Sequence, residues 1–301
     1  MSLRFLRYFS FLVTLSATSV IAEPITVETA AGPMTVAERP ESIVALDVAA
    51  IDTLTALGVA PSGVVAPLFV NYLDEATAGL PAVGSLFEPD FEAIAALNPD
   101  LIVVGGRSVA MADALSTIAP VADMTIGTDM IADGLSRLDA YAALTGTGDT
   151  AEDLRRAISD RLERARAMVA DRGNVLILMT NGPKLSVFGR DSRFGWLHTA
   201  LNWPQAVDDI SESRHGEAVT FEYIAAADPD TLVVIDRGQA VGEGTENARA
   251  TLDNDLIHDT RAWQSGRVIY LTPAETYIAA GGTQAIIRTL DDLIAALAES
   301  A

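Results

Sequence analysis

The chain has 301 residues, half of them hydrophobic, with no cysteine and a formal net charge of −21. So acidic a surface repels nucleic acid and anionic lipid. Without cysteine there are no disulfides and no lipid-modified anchor, so the fold must stand on its hydrophobic core.

In chain order the first element is a leader. Arg4 and Arg7 give a positive start, the 14 residues from Tyr8 to Ile21 are uncharged and mostly apolar, and Ala22 precedes Glu23-Pro24. The run falls short of the roughly 20 residues a spanning helix needs. It therefore reads as a signal peptide over residues 1–22, removed after Ala22, and the expectation is a soluble secreted protein. Removal leaves 18 basic against 41 acidic side chains, a net charge of −23. The remaining roughly 280 residues exceed the size at which one core usually splits, which predicts two domains.

β-branched runs at residues 42–46 and 63–66 flank a helical stretch at 49–57. Residues 91–107, FEAIAALNPDLIVVGGR, then return 130 positions later as FEYIAAADPDTLVVIDR, residues 221–237, identical at ten of seventeen places. Each copy reads as a short helix stopped at Asn98-Pro99 or Asp228-Pro229. A strand apolar on both faces follows, as expected in a covered parallel sheet. Each copy ends on an arginine, Arg107 or Arg237, at the carboxyl end of a strand, where open α/β sheets bind ligands. Between the copies, residues 150–171 place Leu154, Ile158, Leu162, Ala165 and Val169 on one helical stripe, with Thr150 as the expected cap. Further strands are expected at 174–180 and 268–271. The predicted fold is α/β: two Rossmann-like lobes with mostly parallel central sheets, joined by a single long helix, with ligand in the cleft between them. The expected boundaries are 23–148 for the N-terminal lobe, 149–171 for the linker helix and 172–301 for the C-terminal lobe.

No enzyme signature is present: there is no G-x-S-x-G elbow, no phosphate-cradling loop and no H-E-x-x-H. The three histidines, His198, His215 and His258, are scattered, a poor basis for capture of bare manganese or zinc. The informative stretch holds Arg190 and Arg193 in a glycine-flanked loop that opens a helix near Phe194, then His215, then Arg237. An arginine in such a loop suits an anion, although a lone arginine more often pairs with a surface acid.

Taken in order, RPESIVALD, FEAIAALNPDLIVVGGRS, GRDSRFGWLH, SRHGEAVTFEYI, PDTLVVIDR and YIAAGG resemble the periplasmic siderophore-binding proteins of ABC iron importers. The likeness is strongest to the catecholate-type members of class III substrate-binding proteins and covers nearly the whole mature chain. It implies a periplasmic protein, monomeric and not an enzyme, that needs no cofactor and carries an Fe(III)-siderophore as ligand. Arg107, Arg193 and Arg237 match the family's anion-binding triad. His215 and Tyr277 match residues that complete iron coordination when the siderophore supplies four of six donors. Arg214, beside His215, joins the ligand-binding set without a matched position. Glu92 and Glu222, at equivalent places in the repeat, are the expected contacts with arginines of the ABC permease. The physics agrees: a ferric tris-catecholate carries about three negative charges, and each guanidinium at ~4 Å and an effective dielectric near 20 attracts by about 4 kcal/mol before desolvation. Haem, a corrinoid or another metal chelate on the same fold is the alternative cargo, favouring aromatic walls over three arginines. A hydrolase with a dispersed site is the different-class alternative.

Overall fold

Both sheets are built from the β-branched runs. The computed structural model describes residues 23–211, 213, 215–243 and 247–300. The expected leader, residues 1–22, and Arg214 lie outside the described residues. The first lobe comprises β1 (Ile25–Thr29), β2 (Gly32–Val36), β3 (Ile43–Ala45), α1 (Val48–Ala56), β4 (Gly63–Val64), α2 (Phe91–Ala96), β5 (Leu101–Val104), α3 (Ala112–Leu115), β6 (Val121–Asp123) and α4 (Met130–Thr145). The long α5 (Gly148–Val169) leads to β7 (Val175–Asn181), β8 (Lys184–Phe188), α6 (Trp196–Thr199), β9 (Glu217–Val219), α7 (Phe221–Ala227) and β10 (Thr231–Asp236). After these come α8 (Arg237–Ala240), α9 (Ala248–Thr251), α10 (Asp255–His258), α11 (Arg261–Gln264), β11 (Val268–Tyr270), α12 (Pro273–Tyr277) and α13 (Thr283–Glu299).

The first lobe's sheet runs β4-β3-β5-β6, all parallel, beside a separate β1–β2 hairpin. In the second, β11-β10-β7 are parallel, and β8 and β9 extend the sheet antiparallel. Both sheets are covered. Along β7 and β10, Ile177, Val233 and Ile235 enter one core while Leu176, Leu178, Leu232 and Val234 enter another on the opposite face. That is the period-2 alternation of a strand buried on both sides.

The repeat survives as structure. Asp90 caps α2 and Thr220 caps α7, and the residues before each proline, Asn98 (φ 45°) and Asp228 (φ 39°), both take the left-handed conformation. The linker helix departs from expectation at its start. Thr150 does not cap it but lies within its first turn, because Gly146, left-handed at φ 73°, ends α4 and leaves only Thr147 between the two helices. Its stripe is as read: Ile158, Leu162, Ala165 and Val169 are buried. Among the described residues no helix is long and apolar enough to cross a membrane.

The C-terminal helix reaches back to the first lobe. Its N-cap is Gly282, which offers no side chain. The orphan amides of such a terminus need acceptors, and α1 supplies them. Asp52 accepts from Gln284 N (2.7 Å) and Ala285 N (2.9 Å), while Thr283 N donates to Thr53 Oγ1 (3.2 Å). Tyr72 donates its phenol to Asp52 Oδ2 (2.5 Å), the oxygen that also accepts from Ala285 N, and its ring lies under Arg288, which pairs with Glu275 of α12 at 2.7 Å. At the far end, Arg172 donates to Leu297 O and Ser300 O. Burial pushes the Asp52 carboxyl up to about 7 from 3.8, against the pull of its hydrogen bonds. The contribution of this group is full below about pH 4, where both states hold the proton. It is lost as pH rises toward 7, because the unfolded chain ionises first. Wild type is therefore expected to lose stability relative to Asp52→Asn by on the order of 4 kcal/mol between those pH values. Urea denaturation of both proteins across the range checks this, and parallel pH profiles would refute it.

Candidate functional site

Tyr277 ends α12 and is half-buried, packed against the principal cores of both lobes. Two arginines meet at its backbone. From the first lobe, Arg107 lies three residues beyond β5 and donates from Nη2 to Tyr277 O (3.0 Å) and from Nη1 to Ile278 O (3.4 Å). From the second, Arg193 in the β8–α6 loop donates from Nη2 to the same Tyr277 oxygen at 3.0 Å. The two nitrogens are thus no further apart than twice that distance. Both guanidinium carbons also face the Tyr277 ring, at 5.7 and 4.3 Å from its centroid, and that of Arg193 lies 5.0 Å from the centroid of Phe194. Two like charges about 6 Å apart at an effective dielectric near 20 repel by about 3 kcal/mol. The carbonyl and ring faces offset this in part.

Local structure explains how each arginine is delivered. Gly105 and Gly106 let the chain leave β5 and turn over Asp47, the buried cap of α1, which accepts from Ala49 N and Ala50 N. Burial pushes the Asp47 carboxyl up and the nearby Arg107 charge pulls it down. Ser108 fixes the turn by donating to Leu46 O (3.1 Å). On the other side Gly195 permits a tight turn, since a Cβ there would strike the Arg190 carbonyl. The helix that follows starts at Trp196 and is only four residues long, so the loop, not a helix terminus, presents Arg193.

Arg237 has its own partners and lies on a helix, α8, that packs against α12. It is the first residue of α8, and its Nη1 lies 3.2 Å from Asn181 Oδ1 and 3.4 Å from Glu243 Oε2. Arg107 and Arg237 close the two repeat copies, yet β10 extends right up to Arg237 while β5 stops three residues short of Arg107. The two side chains consequently leave from different local geometry. His215 is exposed in the turn before β9 and takes a backbone hydrogen bond to Ser213 Oγ (3.2 Å). Glu92 and Glu222 are both exposed in the first turns of their helices, a position that helix polarity favours for an acid. Thr220 holds the Glu222 carboxyl below its ordinary value through a side-chain hydrogen bond. Among the described residues, no three His, Asp or Glu side chains gather as a metal-holding group. Two hollows of about 500 Å³ lie elsewhere, one beside Glu41 and Asp100, the other between Phe221 and Leu256.

Sequence reasoning missed Asp47, Asn181, Glu243 and the Tyr277 carbonyl. Only Asp47 had a legible signal, an aspartate between a strand and a helical pattern. Gly105→Ala would drive a Cβ into the Asp47 carboxylate. It is expected to destabilise the protein by about 1–3 kcal/mol, measured by urea denaturation; unchanged stability would show that the turn tolerates a side chain.

The sequence pattern of the periplasmic binding proteins matches residues 43–275. The petrobactin-binding protein YclQ of Bacillus subtilis is 31% identical over 272 residues, covering 86% of this chain and 83% of that one. The ferric-anguibactin-binding protein FatB of Vibrio anguillarum is 29% identical, covering 90% and 87%. The crystal structure of the periplasmic catecholate-siderophore-binding protein VctP of Vibrio cholerae superposes with a TM-score of 0.85 at 30% identity, covering 91% of this chain and 100% of that one.

Proposed function

Because the chain belongs to the periplasmic binding protein family, we propose that it captures an anionic ferric siderophore between its lobes and delivers it to an ABC permease. One observation carries the reading: two guanidiniums, one from each lobe, meet at the carbonyl oxygen of Tyr277. Anionic catecholate oxygens form charge-assisted hydrogen bonds roughly twice as strong and also relieve the repulsion between the two cations. The relatives named for petrobactin, anguibactin and catecholate ligands support the same cargo class.

Arg237 is the third cation of this reading. Its pairing with half-exposed Glu243 is of the kind worth little in water, and a ligand anion displaces it. Where the siderophore supplies four donors, the Tyr277 phenolate and the His215 imidazole complete the six; hard Fe(III) favours the phenolate. Arg214 adds charge beside His215. Glu92 and Glu222 engage the permease, one per lobe. The protein works as a monomer in the periplasm after loss of residues 1–22, needs no cofactor, binds no nucleic acid and performs no catalysis.

Tryptophan fluorescence tests the cargo. Trp196 and Trp203 are buried in the second lobe, Trp196 three residues after Arg193. Submicromolar quenching by ferric bis- or tris-catecholates is expected, and Arg107→Ala, Arg193→Ala and Arg237→Ala together should weaken it at least about 100-fold. A response only to haem, cobalamin, Mn(II) or Zn(II) would keep the fold and refute the cargo. Docking is tested separately: Glu92→Ala with Glu222→Ala should leave binding within about twofold, since exposed charges contribute little, while uptake into cells falls. Unchanged uptake would refute it.

A further inference from the structure

Four large hydrophobic side chains are exposed among the described residues: Phe69 (36%), Phe87 (67%), Met111 (38%) and Leu256 (38%). Three of the four belong to segments that follow β4 or β5 of the first lobe's sheet. Phe69 lies five residues beyond the end of β4, and Met111 closes the single 3₁₀ turn that follows Arg107. Phe87 tips the turn between Ser85 and Glu88, where Ser85 N donates to Glu88 O (2.9 Å). That turn caps a segment aligned parallel to β4 through the Val64–Ala82 bridge. All three segments therefore leave the carboxyl edge of the first lobe's sheet, the edge that carries Arg107. β4 and β5 are separated only by β3, about 10 Å at ordinary strand spacing.

Phe69 is also held in a conformation that a bulky side chain avoids. Its φ is +64°, in the left-handed region where a Cβ meets the backbone. The neighbours impose this: Val70 and Leu73 are buried, and Tyr72 is tied to Asp52. A strained residue that keeps a third of its surface exposed, on the sheet edge that carries Arg107, is of the kind found at functional sites.

We infer that Phe69, flanked by Phe87 and Met111, forms an apolar shelf on which an aromatic ring of the ferric ligand lies while Arg107 holds the ligand's anionic oxygens. The inference rests on the siderophore reading above and adds a preference for chelates that carry aryl rings. A catechol ring has one oxygen-bearing edge and an apolar face, and the rim offers a partner for each. Aromatic faces stack or meet edge-on with a gain beyond the area they bury.

The test is titration of the purified full chain with ferric bis- and tris-catecholates and with ring-free ferric hydroxamate and citrate chelates, at two salt concentrations. Phe69→Ala is expected to weaken catecholate binding about tenfold, the value of a good aromatic contact. The salt dependence should not change, because no charge is lost, and affinity for ring-free chelates should stay within about twofold. Phe69→Gly removes the ring and suits the left-handed backbone; it should lose the same affinity while unfolding at a temperature no lower than wild type. Wild-type affinity for catecholates in both variants would overturn the shelf and leave the siderophore reading intact. If uptake then fell, the rim would be a permease contact instead. Wild type that binds no ferric catecholate, or only haem or cobalamin, would overturn both.

Discussion

The arrangement of the cleft depends on a helix that cannot cap itself. The C-terminal helix begins on a glycine, and its first amides are taken up by Asp52 and Thr53 on α1, some 230 residues earlier in the chain. Five residues separate that fixed point from Tyr277, and the Glu275–Arg288 pair with the Tyr72 ring fastens the same stretch from the side. The carbonyl at which the arginines meet is therefore held by the first lobe, although the sequence carries it among the elements of the second. An acceptor on a free loop would drift with the arginines; this one is fixed against two cores.

That fixed point changes the electrostatics of an otherwise very acidic protein. Two of its few cations are kept close together, against their mutual repulsion, next to a buried carboxylate at Asp47 that tempers one of them. Arg155, Arg156, Arg161, Arg261 and Arg288 are drawn into ion pairs elsewhere. Arg237 pairs with Glu243 at the carboxyl end of a central strand. On the proposed reading an anionic ligand meets charge that folding has already gathered.

Much of this was readable from residues alone because it is local. The two repeat copies, the proline stops and the stripe on α5 are consequences of neighbours within a few turns of chain, and each turned up in place. The start of α5 moved because Gly146 acts as a terminator for the preceding helix, which leaves no room for Thr150 to cap. The pairing of Arg107 and Arg193 needed a different kind of information. The resemblance assigns both to an anion-binding triad, but the oxygen at which they meet is a backbone carbonyl, which no residue type announces. Asp52 sits in an apolar stretch and reads as an ordinary helix position until α13 arrives. Contacts across such separations depend on topology, and the antiparallel pair β7–β8, which turns the chain toward Arg193, carried no period distinct enough to read.

α13 packs along α5, where Arg161 pairs with Asp291 at 2.8 Å, and this has a mechanical consequence. Each helix contributes side chains to the cores of both lobes, and α13 is clamped at one end by Asp52 and at the other by Arg172. A single rod between two bodies lets them swivel about its axis. Two rods fastened side by side transmit torque, so the lobes resist twisting and separate only by bending both struts or by sliding one along the other. Whatever parts them has to apply force to both lobes together.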